Sequence, residues 1–101
     1  MINTKIQSIG RDILTLLHYD SFEAAGREMV YLSARSKLSR YRAEEQQYEI
    51  KYGLGFDEFR LRVESKQNEE DFEEEDDLMS WRFAHETAGY LTQKVQELSI
   101  C

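Results

Sequence analysis

Hydrophobic positions recur at helical spacing along most of the chain, and the longest such pattern occupies positions 31 to 52. Its members alternate spacings of three and four residues: Tyr31, Ala34, Leu38, Tyr41, Glu45, Tyr48 and Tyr52. This is the spacing of a helix that packs lengthwise against another helix. The pattern predicts the second half of a proline-free helix of roughly 32 residues that starts near Ser21. Glu45 is its one charged member, and we expect it to pair with an arginine or to face solvent.

A second seam with the same spacing lies near the end of the chain, in a helix that we expect to begin near Asp76. Its members are Trp81, Ala84, Ala88, Leu91, Val95 and Leu98. Ala84 and Ala88 are small enough to let another helix come close, and Trp81 is expected in the core. Two seams of matching length predict a long antiparallel helical hairpin.

The N-terminal segment predicts a shorter amphipathic helix that ends around His18 and Tyr19. Gly10 is expected on its polar side. Asp20 as N-cap, with Glu23 three residues later, resembles a capping box for the next helix, so the break is either a sharp turn or a kink. The apolar stripe of this helix comprises Ile2, Ile6, Ile9, Ile13 and Leu16, and we expect it to pack on a stripe formed by Phe22, Ala25, Met29 and Leu32.

Two further segments lie between the seams. A short helix is predicted from Gly55 or Phe56 to about Ser65, with Phe56, Phe59 and Val63 on its apolar face. The chain then becomes acidic from position 66 to 77. Residues 69–77 contain eight carboxylates in nine positions, interrupted only by Phe72. Repulsion between like charges predicts an extended linker here rather than a helix.

The composition supports a single, elongated, all-α domain of three to four helices over residues 1–101. The chain contains no proline and five glycines, which is ordinary for a helical hairpin and unusual for a sheet protein. The lone cysteine, Cys101, allows no internal disulfide, and no apolar run reaches the roughly 18 residues of a membrane span. We therefore expect a cytoplasmic protein without a membrane partner.

Catalytic and metal-binding motifs are not found in the sequence. His18 and His85 are far apart and neither has metal-ligand spacing. We expect no enzyme, no cofactor and no metal site. The net charge of −7 argues against nucleic acid and points to a basic protein partner, although Arg35, Lys37, Arg40 and Arg42 form a basic cluster. The acidic half of the chain can fold onto that cluster or bind another molecule.

The acidic segment has two interpretations. It is either a solvated linker that keeps the protein soluble, or a partner-binding segment that occupies a basic cleft with Phe72 and Trp81 as apolar contacts. Phe83 and Tyr90 lie off the second seam and are further candidates for a partner surface. The predicted partner-binding residues are Glu69, Glu70, Asp71, Phe72, Glu73, Glu74, Glu75, Asp76, Asp77, Phe83 and Tyr90.

Several short motifs resemble those of small prokaryotic helical proteins that are encoded beside toxin genes and regarded as antitoxins. The motifs cover roughly residues 48 to 98, and Gly55 stands where a serine or similar cap is expected. They are Lys51, Tyr52 and Gly53, then Phe56, Asp57, Glu58 and Phe59, then the acidic run into Asp76 and Asp77, then Trp81 and Ala84.

The resemblance implies a non-catalytic protein that binds and neutralises a cognate basic toxin of ribonuclease-like type. No DNA-binding domain is recognisable at the N-terminus, so regulation of its own operon stays open. The alternative is a coiled-coil homodimer, a scaffold or adaptor whose seams satisfy each other and whose acidic run only confers solubility.

Overall fold

The computed structural model describes residues 2–66 and 71–100, and every regular element within them is an α-helix. The four helices are α1 (Ile2–Leu16), α2 (Phe22–Tyr52), α3 (Phe56–Glu64) and α4 (Phe72–Ile100). The predicted all-α fold is confirmed. None of these described helices combines the length and apolar character needed to cross a bilayer. The chain divides into two compact units, Met1–Ser33 and Ala34–Cys101, here called unit 1 and unit 2.

In unit 1, α1 ends in a sharp turn rather than a kink. His18 adopts a left-handed conformation with φ of 65°. The His18 N–H donates to the carbonyl of Thr15 at 3.1 Å, and the Tyr19 N–H donates to the carbonyl of Leu14 at 2.9 Å. These are the two hydrogen bonds of a Schellman motif, and histidine stands where glycine is the usual residue.

The N-cap residue of α2 differs from the predicted one. The Ala24 N–H donates to Ser21 Oγ at 3.0 Å, so Ser21, not Asp20, is the N-cap of α2. The sequence offers both side chains as caps. The turn after α1 leaves Asp20 one residue too early to reach the exposed N–H groups.

The side of α1 that meets α2 is also different from the predicted one. Gly10 lies under the ring of Phe22, so that a Cβ at this position would sit 2.6 Å from Phe22 Cζ, and Leu14 is buried. The prediction that Gly10 lies on the polar side is wrong. The predicted apolar stripe, here called the isoleucine stripe, lies about a quarter of a turn around the helix from Gly10 and Leu14. Its members Ile6, Ile9, Ile13 and Leu16 stay exposed instead of packing on α2.

Unit 2 contains the predicted antiparallel hairpin, formed by α4 and the part of α2 after Ser33. The Arg42 guanidinium donates to Thr92 Oγ1 at 2.8 Å, and the ring of Tyr48 stacks on Trp81 at 5.5 Å. Positions therefore rise along α2 while they fall along α4. Within unit 2, the seam positions of α2 are all partly buried, and Trp81, Ala84 and Ala88 are buried in α4.

The core of unit 2 is an aromatic stack closed by α3. Gly53, with φ of 67°, ends α2 and its N–H donates to the carbonyl of Glu49 at 2.8 Å. α3 then places Phe59, fully buried, against Trp81 at 5.2 Å and Tyr52 at 4.2 Å between ring centroids. The predicted face of α3 is confirmed. The residues packed around Phe59, Leu78 and Trp81 are Tyr48, Tyr52, Leu54, Phe56 and Val63.

The prediction of an extended linker is wrong for residues 72–77, which form the first turns of α4. Asp71 is the N-cap, because its Oδ1 accepts a hydrogen bond from the Glu74 N–H at 3.2 Å. α4 thus begins about one turn before Asp76. A helix N-terminus favours negative side chains, and cations of α2 and α3 relieve their mutual repulsion. Glu69 and Glu70, the first two predicted partner-binding residues, lie outside the described residues.

Candidate functional site on α4

The helical conformation divides the acidic run into an inner and an outer face. Glu74 is on the inner face and only 6% exposed. The Arg62 guanidinium donates to its Oε1, and the Lys66 ammonium donates to its Oε2 at 2.6 Å. The hydrogen bond from Lys66 lowers the pKa of Glu74, and Arg62 adds to this effect against the opposing effect of burial. Glu74 therefore cannot contact a partner protein unless its ion pairs with Arg62 and Lys66 are broken.

Asp77, which is partly buried, and Glu73, whose side chain is 72% exposed, share a second cation. The Lys51 ammonium donates to Glu73 Oε1 and to Asp77 Oδ2, at 2.7 Å each, and the Tyr52 hydroxyl donates to Asp77 Oδ2. Burial opposes ionisation of Asp77, but the hydrogen bonds from Lys51 and Tyr52 outweigh it and lower its pKa.

The same contacts shift the titration of the two donors. The hydrogen bond to Asp77, followed by that to Glu73, raises the pKa of Lys51 above that of an ordinary lysine. Burial, together with the hydrogen bond to Asp77, raises the pKa of Tyr52 to about 12. Glu73, Glu74 and Asp77 are thus paired with Lys51, Arg62 and Lys66 rather than with the basic cluster at positions 35 to 42.

The outer face of α4 carries the remaining predicted contacts. Phe72, Phe83 and Tyr90 are exposed by 68%, 60% and 60%, and Glu75 and Asp76 are exposed as well. Six positions alternate spacings of four and three along this face, and we call them the outer stripe. They are Phe72, Asp76, Met79, Phe83, Glu86 and Tyr90, all exposed.

Met79, which is 72% exposed, and Glu86 are the two members that the sequence reasoning missed. The signal was present, because the outer stripe has the same heptad spacing as the buried seam and lies on a different side of the same helix. Next to Met79 and Phe83 runs a shallow groove whose opposite wall comes from α2. The Tyr41 ring meets Phe83 edge-on at 5.7 Å, and Arg40 lies beside it with its guanidinium 5.4 Å from the Tyr41 ring centroid.

Glu45, the charged member of the first seam, has a different role from the one predicted. It neither pairs with an arginine nor faces solvent. Trp81 Nε1 donates to Glu45 Oε1 at 3.3 Å, and His85 Nδ1 lies 2.6 Å from the same oxygen. The His85 ring also stacks on Phe56 at 4.4 Å. A buried tryptophan needs an acceptor for its indole N–H, and a glutamate at the facing seam position supplies it.

Among the described residues, no group of three or more His, Cys, Asp or Glu side chains is placed to hold a metal ion. Comparison with protein-family models, with curated proteins and with solved structures finds no match to this chain.

Proposed function

We propose that this protein acts without catalysis, by binding a basic protein along the outer stripe of α4. The observation that supports it best is the exposure of Phe72, Met79, Phe83 and Tyr90 on one line of a helix whose other side packs against α2 and α3. A row of large apolar side chains at helical spacing is the usual feature of a helix that lies in a hydrophobic groove of a partner.

The carboxylates define the charge of that partner. Asp76 and Glu86 belong to the outer stripe, and Glu75 lies beside it. They face away from the cations that neutralise Glu73, Glu74 and Asp77. An acidic border around an apolar row favours a partner with a basic rim, because complementary charge accelerates association and excludes acidic competitors.

The energy that the apolar row contributes is comparable with the cost of association. Burying four large apolar side chains contributes on the order of 6 to 12 kcal/mol. Association costs about 4 to 15 kcal/mol in lost freedom. The two ranges overlap, so a lower cost of association strengthens the complex. The ordering cost is reduced because the core of unit 2 already holds α4 in its helical form.

The partner class follows from the resemblance described above, which covers the same part of the chain. We infer an antitoxin-like function, in which the acidic surface of α4 covers the basic cleft of a ribonuclease-like toxin. The competing idea of a homodimer joined through the two seams has less support, because each seam packs against the other within one chain.

The proposal predicts that a small basic protein is encoded beside this chain, and co-expression with that protein tests it. The double variant Met79→Ser and Phe83→Ser shortens the apolar row, and Ile50→Ser with Leu61→Ser is the matched control. Ile50 and Leu61 are exposed by 76% and 60% and lie on other helices. We expect the wild type and the control to restore growth, and the outer-stripe variant to bind the toxin at least about a hundredfold more weakly.

Two outcomes contradict different parts of the proposal. If the neighbouring protein is harmless when expressed alone, the antitoxin function is wrong. If the outer-stripe variant binds as tightly as the control while its circular dichroism is unchanged, the location of the site is wrong. The charge component is tested separately with Glu75→Lys and Asp76→Lys, which should slow association and reduce its salt dependence. Glu73 and Glu74 are unsuitable for that test because both have ion pairs within the fold.

A further inference from the structure

Unit 1 leaves most of its apolar surface uncovered. Leu14 is the one buried hydrophobic residue among its described side chains. Nine large apolar residues of the unit are exposed by 50% or more: Ile6, Ile9, Ile13, Leu16, Leu17, Phe22, Met29, Val30 and Leu32. A pair of helices that buries so little has almost no hydrophobic stabilisation of its own.

The exposed residues form two complementary shapes within the same unit. The isoleucine stripe of α1 is a ridge, made by Ile6, Ile9, Ile13 and Leu16. Beside it lies an apolar groove with Ala25 and Gly26 among the residues that line it. Its larger lining side chains are Leu14, Leu17, Tyr19, Phe22, Met29 and Leu32. Small residues between large ones give a depression that accepts side chains from another helix.

We propose that unit 1 is a dimerisation module and that its groove receives the ridge of a second copy of this chain. A two-fold axis lets each copy insert its ridge into the groove of the other. Both ridges and both grooves are then covered in the dimer. The result is a four-helix arrangement in which each copy contributes α1 and the first part of α2.

The available area is sufficient for such an interface. Eight of the nine exposed side chains, all but Val30, belong to the ridge or the groove, and they expose on the order of 1,000 Å² per copy, compared with about 800 Å² per partner in a stable interface of standard size. Surfaces this apolar are typical of permanent homodimers.

The charge distribution favours a second copy over other occupants. Residues 1–33 contain three Lys or Arg and four Asp or Glu, a net charge of −1, whereas residues 34–101 contain ten and sixteen, a net charge of −6. Two copies therefore meet where their mutual repulsion is weakest. A basic partner is attracted to unit 2 instead. α1 also lacks the row of lysines and arginines with which helices bind anionic membranes.

The test fills the groove without weakening the helix. A Cβ at Gly26 meets nothing within 4 Å and Gly26 lines the groove, so Gly26→Leu starts a side chain in open space at the groove and raises helix propensity. Gly89→Leu is the matched control, since Gly89 is a helical glycine of α4 with equally open surroundings. Sedimentation equilibrium of the wild-type chain of 101 residues should give twice the chain mass of 12.0 kDa at micromolar concentration.

We expect Gly26→Leu to weaken dimerisation at least about tenfold without loss of helicity. The double variant Ile9→Gln and Ile13→Gln should weaken dimerisation at least about a hundredfold. Gly89→Leu should leave it unchanged. A wild type that is still monomeric at 100 times the micromolar concentration at which dimers are expected overturns the proposal. So does a Gly26→Leu protein that dimerises like the wild type, a dimer dissociated by Met79→Ser with Phe83→Ser, or binding of the wild type to anionic vesicles through α1. Toxin binding is measured with different variants, so failure of either proposal can be recognised separately.

Discussion

Replacement of Glu74 by glutamine tests the idea that the acidic run stabilises unit 2 from within. Glu74→Gln keeps the size and helix propensity of the side chain but removes its charge. Two cations lose an ionic partner, because Arg62 and Lys66 each donate to one carboxylate oxygen. Glu75→Gln is the matched control. It makes the same change one residue later, at an exposed position in the same first turns of α4.

The expected magnitude follows from the exposure of each partner. A hydrogen bond to a charged group contributes about 1.5 to 3 kcal/mol. Arg62 and Lys66 have side chains that are 44% and 28% exposed, so both cations rehydrate when the carboxylate is lost. The neutral amide oxygen still accepts one hydrogen bond. We therefore expect a loss of about 1 to 2 kcal/mol for Glu74→Gln, and less than about 0.5 kcal/mol for Glu75→Gln, which loses mainly its interaction with the helix dipole.

Urea denaturation followed by tryptophan fluorescence measures this difference. Trp81 is the single tryptophan and is fully buried in the core of unit 2, so its emission reports on that unit alone. A loss of 1 to 2 kcal/mol also lowers the midpoint of thermal unfolding by about 5 to 15 °C in a domain of this size. Equal free energies of unfolding for Glu74→Gln and Glu75→Gln would refute the reasoning.

The pH dependence of the difference has a defined sign. The folded state lowers the pKa of Glu74, so its carboxylate contributes stability that is present above the ordinary glutamate pKa, near 4.5. That contribution is lost as the pH falls through the lower, folded-state pKa. The difference in the free energy of unfolding between wild type and Glu74→Gln should therefore be constant near neutral pH and shrink in acid. A gap that widens in acid contradicts the assignment.

Three further predictions concern single contacts. His18→Gly should stabilise α1 by about 1 kcal/mol, because glycine adopts the left-handed conformation without strain. His18→Ala should not stabilise it. Amide hydrogen exchange in α1 measures the difference, and equal exchange rates in the two variants contradict the prediction. Tyr52→Phe should cost about 1 kcal/mol at neutral pH by removing the hydrogen bond to Asp77. The raised pKa of Tyr52, about 12, also makes the wild type lose stability between pH 10 and 12; Tyr52→Phe should reduce that loss in urea titrations, and an unchanged slope refutes it. Asp71→Ala should cost about 1 kcal/mol in thermal unfolding through the lost N-cap, and Asp71→Ser should recover most of it; no recovery excludes capping as the cause.

The seams and the α3 face were predictable because each has a regular apolar period. Positions 38 to 52 and 81 to 98 read as helix faces from spacing alone, and the structure buries those faces against each other. Gly53 was predictable as the end of α2 for a similar reason, since only glycine adopts its φ without strain.

The start of α4 was not predictable from local charge. Repulsion within residues 69–77 argues against a helix, and the compensation comes from Lys51, Arg62 and Lys66, none of which is in that run. The partners of Glu45 were hidden for the same reason. Its acceptor role depends on Trp81 and His85, about 40 positions away, which meet it only when the hairpin closes. In unit 2 the sequence pattern predicts which face is buried, whereas side-chain pairing is decided by tertiary contacts.

The shared ammonium group of Lys51 also gives the molecule a built-in chemical reporter. Amine-directed acylating reagents attack only the uncharged amine, and Asp77 and Glu73 keep Lys51 protonated to a higher pH than an unpaired lysine. Lys51 should be acylated more slowly than the exposed Lys37 as long as α2 and α4 are joined. The ratio of the two labelling rates, measured by mass spectrometry, then reports how often α2 and α4 separate.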